Sequence, residues 1–273
     1  MIKNLLMKNY PNIEIKAVNL DSSDLKKSLK EPTAEEYTLL GAIYRDKNLN
    51  IKSIDCYLKS LSIRESTLGF THNKTANSYK NLAEAYASTG SIVNALKYYN
   101  KALDIKRILW GAEHPQSASI YSSLANLHLE DNNLEKAHAL YKRALEIRRY
   151  SLGEEDIHTA TSYQELASFY ANSEEYELAL PLFEEAVKIR KKLLKMSHPD
   201  TATSYNNLAI CYYHLFEYKK ASDALTIAIE IRELILELND PSLLRAKLNL
   251  KEIEKKISKK RFTLKSFFLN LFK

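Results

Sequence analysis

Serine or threonine followed by alanine stands at 33–34, 75–76, 117–118, 159–160 and 201–202, a constant step of 42 residues. Other positions keep the same step. Tyrosine recurs at 37, 79, 121, 163 and 205, leucine at 40, 82, 124, 166 and 208, and the residue after each leucine is small: Gly41, Ala83, Ala125, Ala167 and Ala209. Residues 33–242 therefore divide into five units, 33–74, 75–116, 117–158, 159–200 and 201–242. A unit of this length is one supersecondary element, too small to bury its own apolar faces, so the units must stack on one another.

Within a unit the apolar spacing is helical twice over. Tyr205, Leu208, Ala209 and Tyr212 fall at i, i+3, i+4 and i+7, one face of a first helix, here helix A. Leu134, Ala137, Tyr141, Ala144, Leu145 and Ile147 make the corresponding stripe of a second, helix B. Short polar breaks such as Asp131-Asn132-Asn133 separate the two and suit a tight helix–helix turn. With 5 Gly and 6 Pro in 273 residues, the chain has few of the turn residues that joined strands require.

Small residues select the kind of solenoid. Helix A carries leucine, a small residue and an aromatic four positions after the leucine (Leu82-Ala83…Tyr86, Leu166-Ala167…Tyr170, Leu208-Ala209…Tyr212). Helix B carries alanine, aromatic, alanine (Ala95, Tyr99, Ala102; Ala137, Tyr141, Ala144; Ala179, Phe183, Ala186). The small residues let two helices approach while the aromatics fill the space beside them. This is the tetratricopeptide (TPR) pattern, and in its 42-residue form the chain resembles the repeats of kinesin light chains and their bacterial relatives. The resemblance implies an all-α, right-handed superhelical solenoid of antiparallel helix hairpins. Departures occur: Ser53 and Ser60 replace the helix B alanines of the first unit, His128 the helix A aromatic of the third, and Leu225 the helix B aromatic of the fifth. Residues 1–32 read as an N-terminal extension, 243–258 as a capping helix with a charged outer face, and 259–273 as a basic amphipathic tail.

Chemistry-bearing patterns are missing. Cys56 and Cys211 have no metal-ligand spacing, and no phosphate loop, His-Glu-x-x-His or nucleophile elbow occurs. His72, His114 and His198 recur where each helix A opens, two of them followed by Pro115 and Pro199, so they are expected to cap helices. No enzyme activity, metal or cofactor is expected. No run of eighteen apolar residues and no signal peptide is read, so the expected location is the cytoplasm. The net charge of +6 is local: residues 243–273 hold ten Lys or Arg against two Glu, leaving the rest of the chain slightly acidic. A phosphate-tracking surface needs a basic stripe, so nucleic acid is not an expected partner.

The expected function is a non-catalytic adaptor that binds a peptide or partner protein in a concave groove. The groove residues flank the Leu-small pair of helix A: Lys80, Asn81 and Glu84; Ser122, Ser123 and Asn126; Gln164, Glu165 and Ser168; Asn206 and Asn207. Side-chain amides offer donor and acceptor together, as an extended main chain requires. By the family resemblance, such grooves bind short, often acidic peptides with helix A asparagines and helix B cations, and Arg148 and Arg190 hold matching cation positions. Those cations can pair with ligand carboxylates or with neighbours such as Glu146 and Glu185. The alternative is a self-associating or membrane-apposed scaffold that works through the tail, with Phe262, Phe267, Phe268, Leu271 and Phe272 as contacts.

Overall fold

The structure, a computed structural model, describes residues 32–194 and 197–271, with side chains through residue 259. Eleven helices and no strand lie among the described residues: α1 (Ala34–Asp46), α2 (Asn50–Leu68), α3 (Asn73–Ala87), α4 (Ile92–Trp110), α5 (Pro115–Glu130), α6 (Leu134–Leu152), α7 (Ile157–Asn172), α8 (Tyr176–Leu193), α9 (Pro199–His214), α10 (Tyr218–Ile235) and α11 (Pro241–Leu271). Odd-numbered helices are helix A and even-numbered ones helix B. The chain forms two units, residues 1–70, with the hairpin α1–α2, and residues 71–273, with all later helices.

Every hairpin is closed by the same device. Two or three residues past the end of each helix A the chain adopts a left-handed conformation, at Asn48, Gly90, Asn132, Glu174 and Phe216, again at a step of 42. The next amide then reaches back five residues: Ser91 N–H to the Tyr86 carbonyl at 3.0 Å, Asn133 to His128 at 2.7 Å, Glu175 to Tyr170 at 2.9 Å and Glu217 to Tyr212 at 2.9 Å. This is the Schellman closure of a helix end, and it turns the chain straight into helix B. Helix starts are equally regular. His72, His114 and His198 are N-caps whose Nδ1 accepts from the backbone N–H of Lys74, Gln116 and Asp200 at 3.1, 3.2 and 3.1 Å, and Pro115 and Pro199 occupy the first helical position. The expected capping role of these histidines is what the structure shows.

The signature residues form the core. Ala83, Ala95, Ala125, Ala137, Ala167 and Ala179 are completely buried, with Tyr99, Tyr141, Phe183 and Leu225 packed among the helices. In the first hairpin the departures from the pattern compensate one another. A Cβ on Gly41 would stand 2.7 Å from the Tyr57 ring, so only glycine fits there. Ser53 and Ser60 bury their hydroxyls by donating to the carbonyls of Gly41 and Ala34, both at 2.8 Å. The last helix of 71–273 is α11, which Asp240 caps through the amides of Ser242 at 2.8 Å and Leu243 at 3.2 Å. Leu243, Ala246, Leu250, Ile253 and Ile257 of α11 join the apolar cluster formed with α9 and α10. The helix continues to Leu271, across the position where the sequence divides a cap from a tail.

Candidate functional site

Of the helix A positions named from the sequence, Ser122, Gln164 and Glu165 join neighbouring A helices. Ser122 on α5 donates from Oγ to Glu165 Oε2 on α7 at 2.6 Å, and Ser204 on α9 donates to Gln164 Oε1 on α7 at 3.1 Å. Lys80 and Glu84 pair along α3 at 3.3 Å, and Ser123 returns its hydroxyl to the Ser119 carbonyl at 3.1 Å. Asn126 accepts a hydrogen bond from the buried Tyr141 hydroxyl, whose pKa is pushed up to about 12, first by burial and then by the charge of Glu165. Asn206 accepts from Arg232 at 3.4 Å. Asn81, Ser168 and Asn207 remain: half-buried, their side chains make no hydrogen bond among the described residues.

The helix B cations are more deeply placed than the sequence implies. Arg148, 6% exposed, donates from Nη1 to Ser162 Oγ at 2.5 Å and to Glu165 Oε2 at 3.4 Å, both on α7, the next unit's helix A. Arg190, 3% exposed, donates to Ser204 Oγ at 2.5 Å and to Gln164, tying α8 to α9 and α7, and burial holds its pKa below the ordinary arginine value. The same-helix acids that the sequence offers as one alternative are engaged elsewhere: Glu146 pairs with Arg143 and Glu185 with Lys188. Arg148 thus reaches a hydroxyl and a carboxylate of the next unit's helix A, and Arg190 a hydroxyl and an amide on two successive A helices, whereas Glu146 and Glu185 pair along helix B.

Lys106 is the variant of this clasp. Its Nζ donates to Asn73 Oδ1 at 2.5 Å, Asn77 Oδ1 at 2.8 Å and Gln116 Oε1 at 2.6 Å, under the ring of Trp110 at 4.7 Å. Three acceptors for three N–H groups suit the ammonium form. Burial, helped by the charge of Lys80, lowers its pKa to about 8. Since an unfolded lysine titrates near 10.4, the unfolded chain holds the extra proton between those values, so this group makes stability rise as pH climbs from about 8. Melting temperatures taken from pH 8 to 9 should show an upward contribution in the natural chain that Lys106→Met lacks. Identical pH slopes for the two proteins would contradict it.

A family model decides what these repeats are. The model described as tetratricopeptide repeat matches residues 33–108, 93–149 and 158–234, together more than half of the chain. The chain belongs to the tetratricopeptide repeat family. No curated protein matches its sequence. Among solved structures, BtubC (BKLC) from P. vanneervenii is 24% identical with a TM-score of 0.65, covering 74% of this chain and 80% of that one. Two structures of a Podosopora anserina protein described as a kinesin light chain, with nearly identical TPR-like repeats, are 23% and 22% identical, each with a TM-score of 0.61. They cover 72% and 76% of this chain and 93% and 100% of theirs, and at such identity they speak for the TPR fold alone.

Within the TPR frame, the clasp residues Ser162, Ser204, Asn73, Asn77 and Gln116 were not singled out from the sequence. A signal was present: serine stands fourteen residues after both Arg148 and Arg190, while Ile120 occupies that position after Lys106, whose partners are amides instead. Among the described residues no His, Cys, Asp and Glu cluster is arranged to hold a metal, and no helix is long and apolar enough to cross a membrane. The tail contacts Phe262, Phe267, Phe268 and Leu271 lie outside the residues whose side chains are described, and Phe272 lies outside the described chain.

Proposed function

We propose that the chain is a non-catalytic protein-interaction scaffold whose helix A wall takes an extended segment of a partner protein. The observation that carries this reading is the pair Asn81 and Asn207, repeat-equivalent carboxamides, half-buried on α3 and α9 and without a hydrogen-bond partner among the described residues. A carboxamide that donates and accepts at once matches the alternating N–H and C=O of an extended main chain. Ser168 on α7 adds a hydroxyl on the same wall. The reading gives the ligand no acidic character, because a ligand carboxylate would have to take Arg148 from Ser162 and Glu165, or Arg190 from Ser204 and Gln164. Specificity then rests on main-chain pairing and on the side chains between the amides.

Asn81→Ala combined with Asn207→Ala tests this. Two lost hydrogen bonds at about 0.5–1.5 kcal/mol each weaken partner capture roughly 5- to 150-fold. The melting temperature should move by no more than about 2 °C, since neither amide supports the fold. Quantitative comparison of proteins retained on the immobilised natural chain and on the double variant is the measurement. Equal retention would remove the groove from the proposal.

A further inference from the structure

The repeats themselves show which side chains the fold requires at the turn between helix A and helix B, and the last hairpin goes beyond that requirement. Where the earlier units of 71–273 carry Ala87, Leu129 and Ala171, the last has Tyr213. Where they carry Ser88, Glu130 and Asn172 it has His214, and where they carry Gly90, Asn132 and Glu174 it has Phe216. Phe216 stands in the left-handed conformation at φ 61° and is 69% exposed. Glycine and asparagine accept this conformation readily, and a bulky aromatic does not. Packing gains nothing from a strained ring in water, so the strain points to function.

These side chains form one aromatic patch on two neighbouring turns. His214 is stacked flat on Tyr176, the first residue of α8, with ring centroids 4.2 Å apart. Tyr213 meets His214 at 5.6 Å and Tyr218 at 5.5 Å, and Phe216 stands edge-on to Tyr218 at 6.2 Å. The hydroxyls of Tyr176, Tyr213 and Tyr218 make no hydrogen bond among the described residues. Three carboxylates rim the patch: Glu174, Glu175 and Glu177, all exposed and without an ion pair among the described residues. The charge of Glu174 reaches Tyr176, whose pKa is raised first by burial and then by that charge. Glu177 reaches across to α9, where burial and then its charge push the Cys211 thiol up to about 11. Lys219 and Lys220, the cations nearest in sequence, are already paired with Asp223 and Glu217.

We propose that this turn edge is a second docking surface, which takes an arginine-bearing segment of a partner protein, its guanidinium groups lying on the aromatic rings and pairing with Glu174, Glu175 and Glu177. Charge selects this occupant. An aromatic face attracts a cation, and a carboxylate beside it holds the same cation by charge-assisted hydrogen bonds. Arginine fits better than lysine because its planar guanidinium stacks on a ring while its fork meets a carboxylate. The three unpaired carboxylates repel the phosphates of a nucleic acid or an anionic bilayer, partners that the aromatic rings alone would suit. The patch uses none of the helix A wall residues, so its failure would leave the scaffold reading untouched.

Fluorescence anisotropy of a fluorescein-labelled peptide of alternating arginine and serine, titrated with the full chain at physiological salt, is the test. The natural chain should bind it saturably, and the same peptide with lysine for arginine severalfold less tightly. His214→Asn combined with Phe216→Asn should weaken binding roughly 5- to 30-fold through the lost ring contacts. Asn172 and Asn132 already hold the equivalent positions of other hairpins, so the melting temperature should fall by no more than about 2 °C. Glu174→Gln combined with Glu177→Gln should weaken binding as well, and Asn81→Ala combined with Asn207→Ala should leave it unchanged. No saturable binding, binding indifferent to the aromatic pair, or equal affinity for the lysine peptide overturns the proposal, and loss of binding in the Asn81 and Asn207 variant would place the peptide on the wall and overturn it too. Capture of phosphatidylserine vesicles or of oligothymidylate by the natural chain, abolished by His214→Asn with Phe216→Asn, would assign the patch to an anionic partner and overturn it equally.

Discussion

Leu166→Ala lowers the stability of the array by about 2–5 kcal/mol, the range for truncating a buried leucine whose surroundings relax only in part. Leu166 is 5% exposed and packs in a cluster with Ala125 and Tyr141 of the preceding unit and Phe169, Ala186 and Ile189 of its own, so the vacated space opens on an inter-repeat seam. For a chain of this size the melting temperature falls by roughly 4–20 °C. Because each repeat rests only on its neighbours, the loss should concentrate at the junction of the third and fourth units. Amide exchange there should accelerate more than in α9 and α10, and a uniform acceleration throughout would contradict the nearest-neighbour account.

Arg148→Glu is the second large effect, and it appears first in stability. The substitution sets a carboxylate in a buried seam beside Glu165, where the guanidinium stood 3.4 Å from that acid and 2.5 Å from Ser162. Breaking a buried charge pair from one side costs about 3–5 kcal/mol. Arg148→Met removes the charge, and the partly exposed Glu165 keeps its hydrogen bond from Ser122, so the cost falls to about 1–3 kcal/mol. Urea unfolding should rank the natural chain first, Met second and Glu last. Equal midpoints for the two variants would mean that the clasp carries no electrostatic weight. A binding assay on Arg148→Glu therefore reports on folding before it reports on ligand charge.

Much of this molecule is written locally. The 42-residue step, the leucine-small pair of helix A and the alanine-aromatic-alanine run of helix B each act within one or two turns of helix, so their spacing alone names hairpins and a TPR stack. Cap histidines are legible for the same reason, since a side chain accepts from an amide two residues away. The candidate wall is legible only in part. Periodicity assigns Asn81, Ser122, Gln164 and Asn207 to one face of helix A, but it is blind to the next helix.

What only the tertiary structure decided are the partners that cross the repeats. Ser122 meets Glu165 43 residues away and Gln164 meets Ser204 40 residues away, because stacked hairpins bring the same helix position of successive units side by side. By the same stacking Arg148 and Arg190 become clasps between repeats, and Asn81 and Asn207 are left without a side-chain hydrogen bond among the described residues. Composition and spacing treat all of these side chains as one polar face. Which of them are already satisfied depends on the rotation and separation of adjacent hairpins, set by the packing of alanines and aromatics in the seams, and that quantity exists only once the units have stacked.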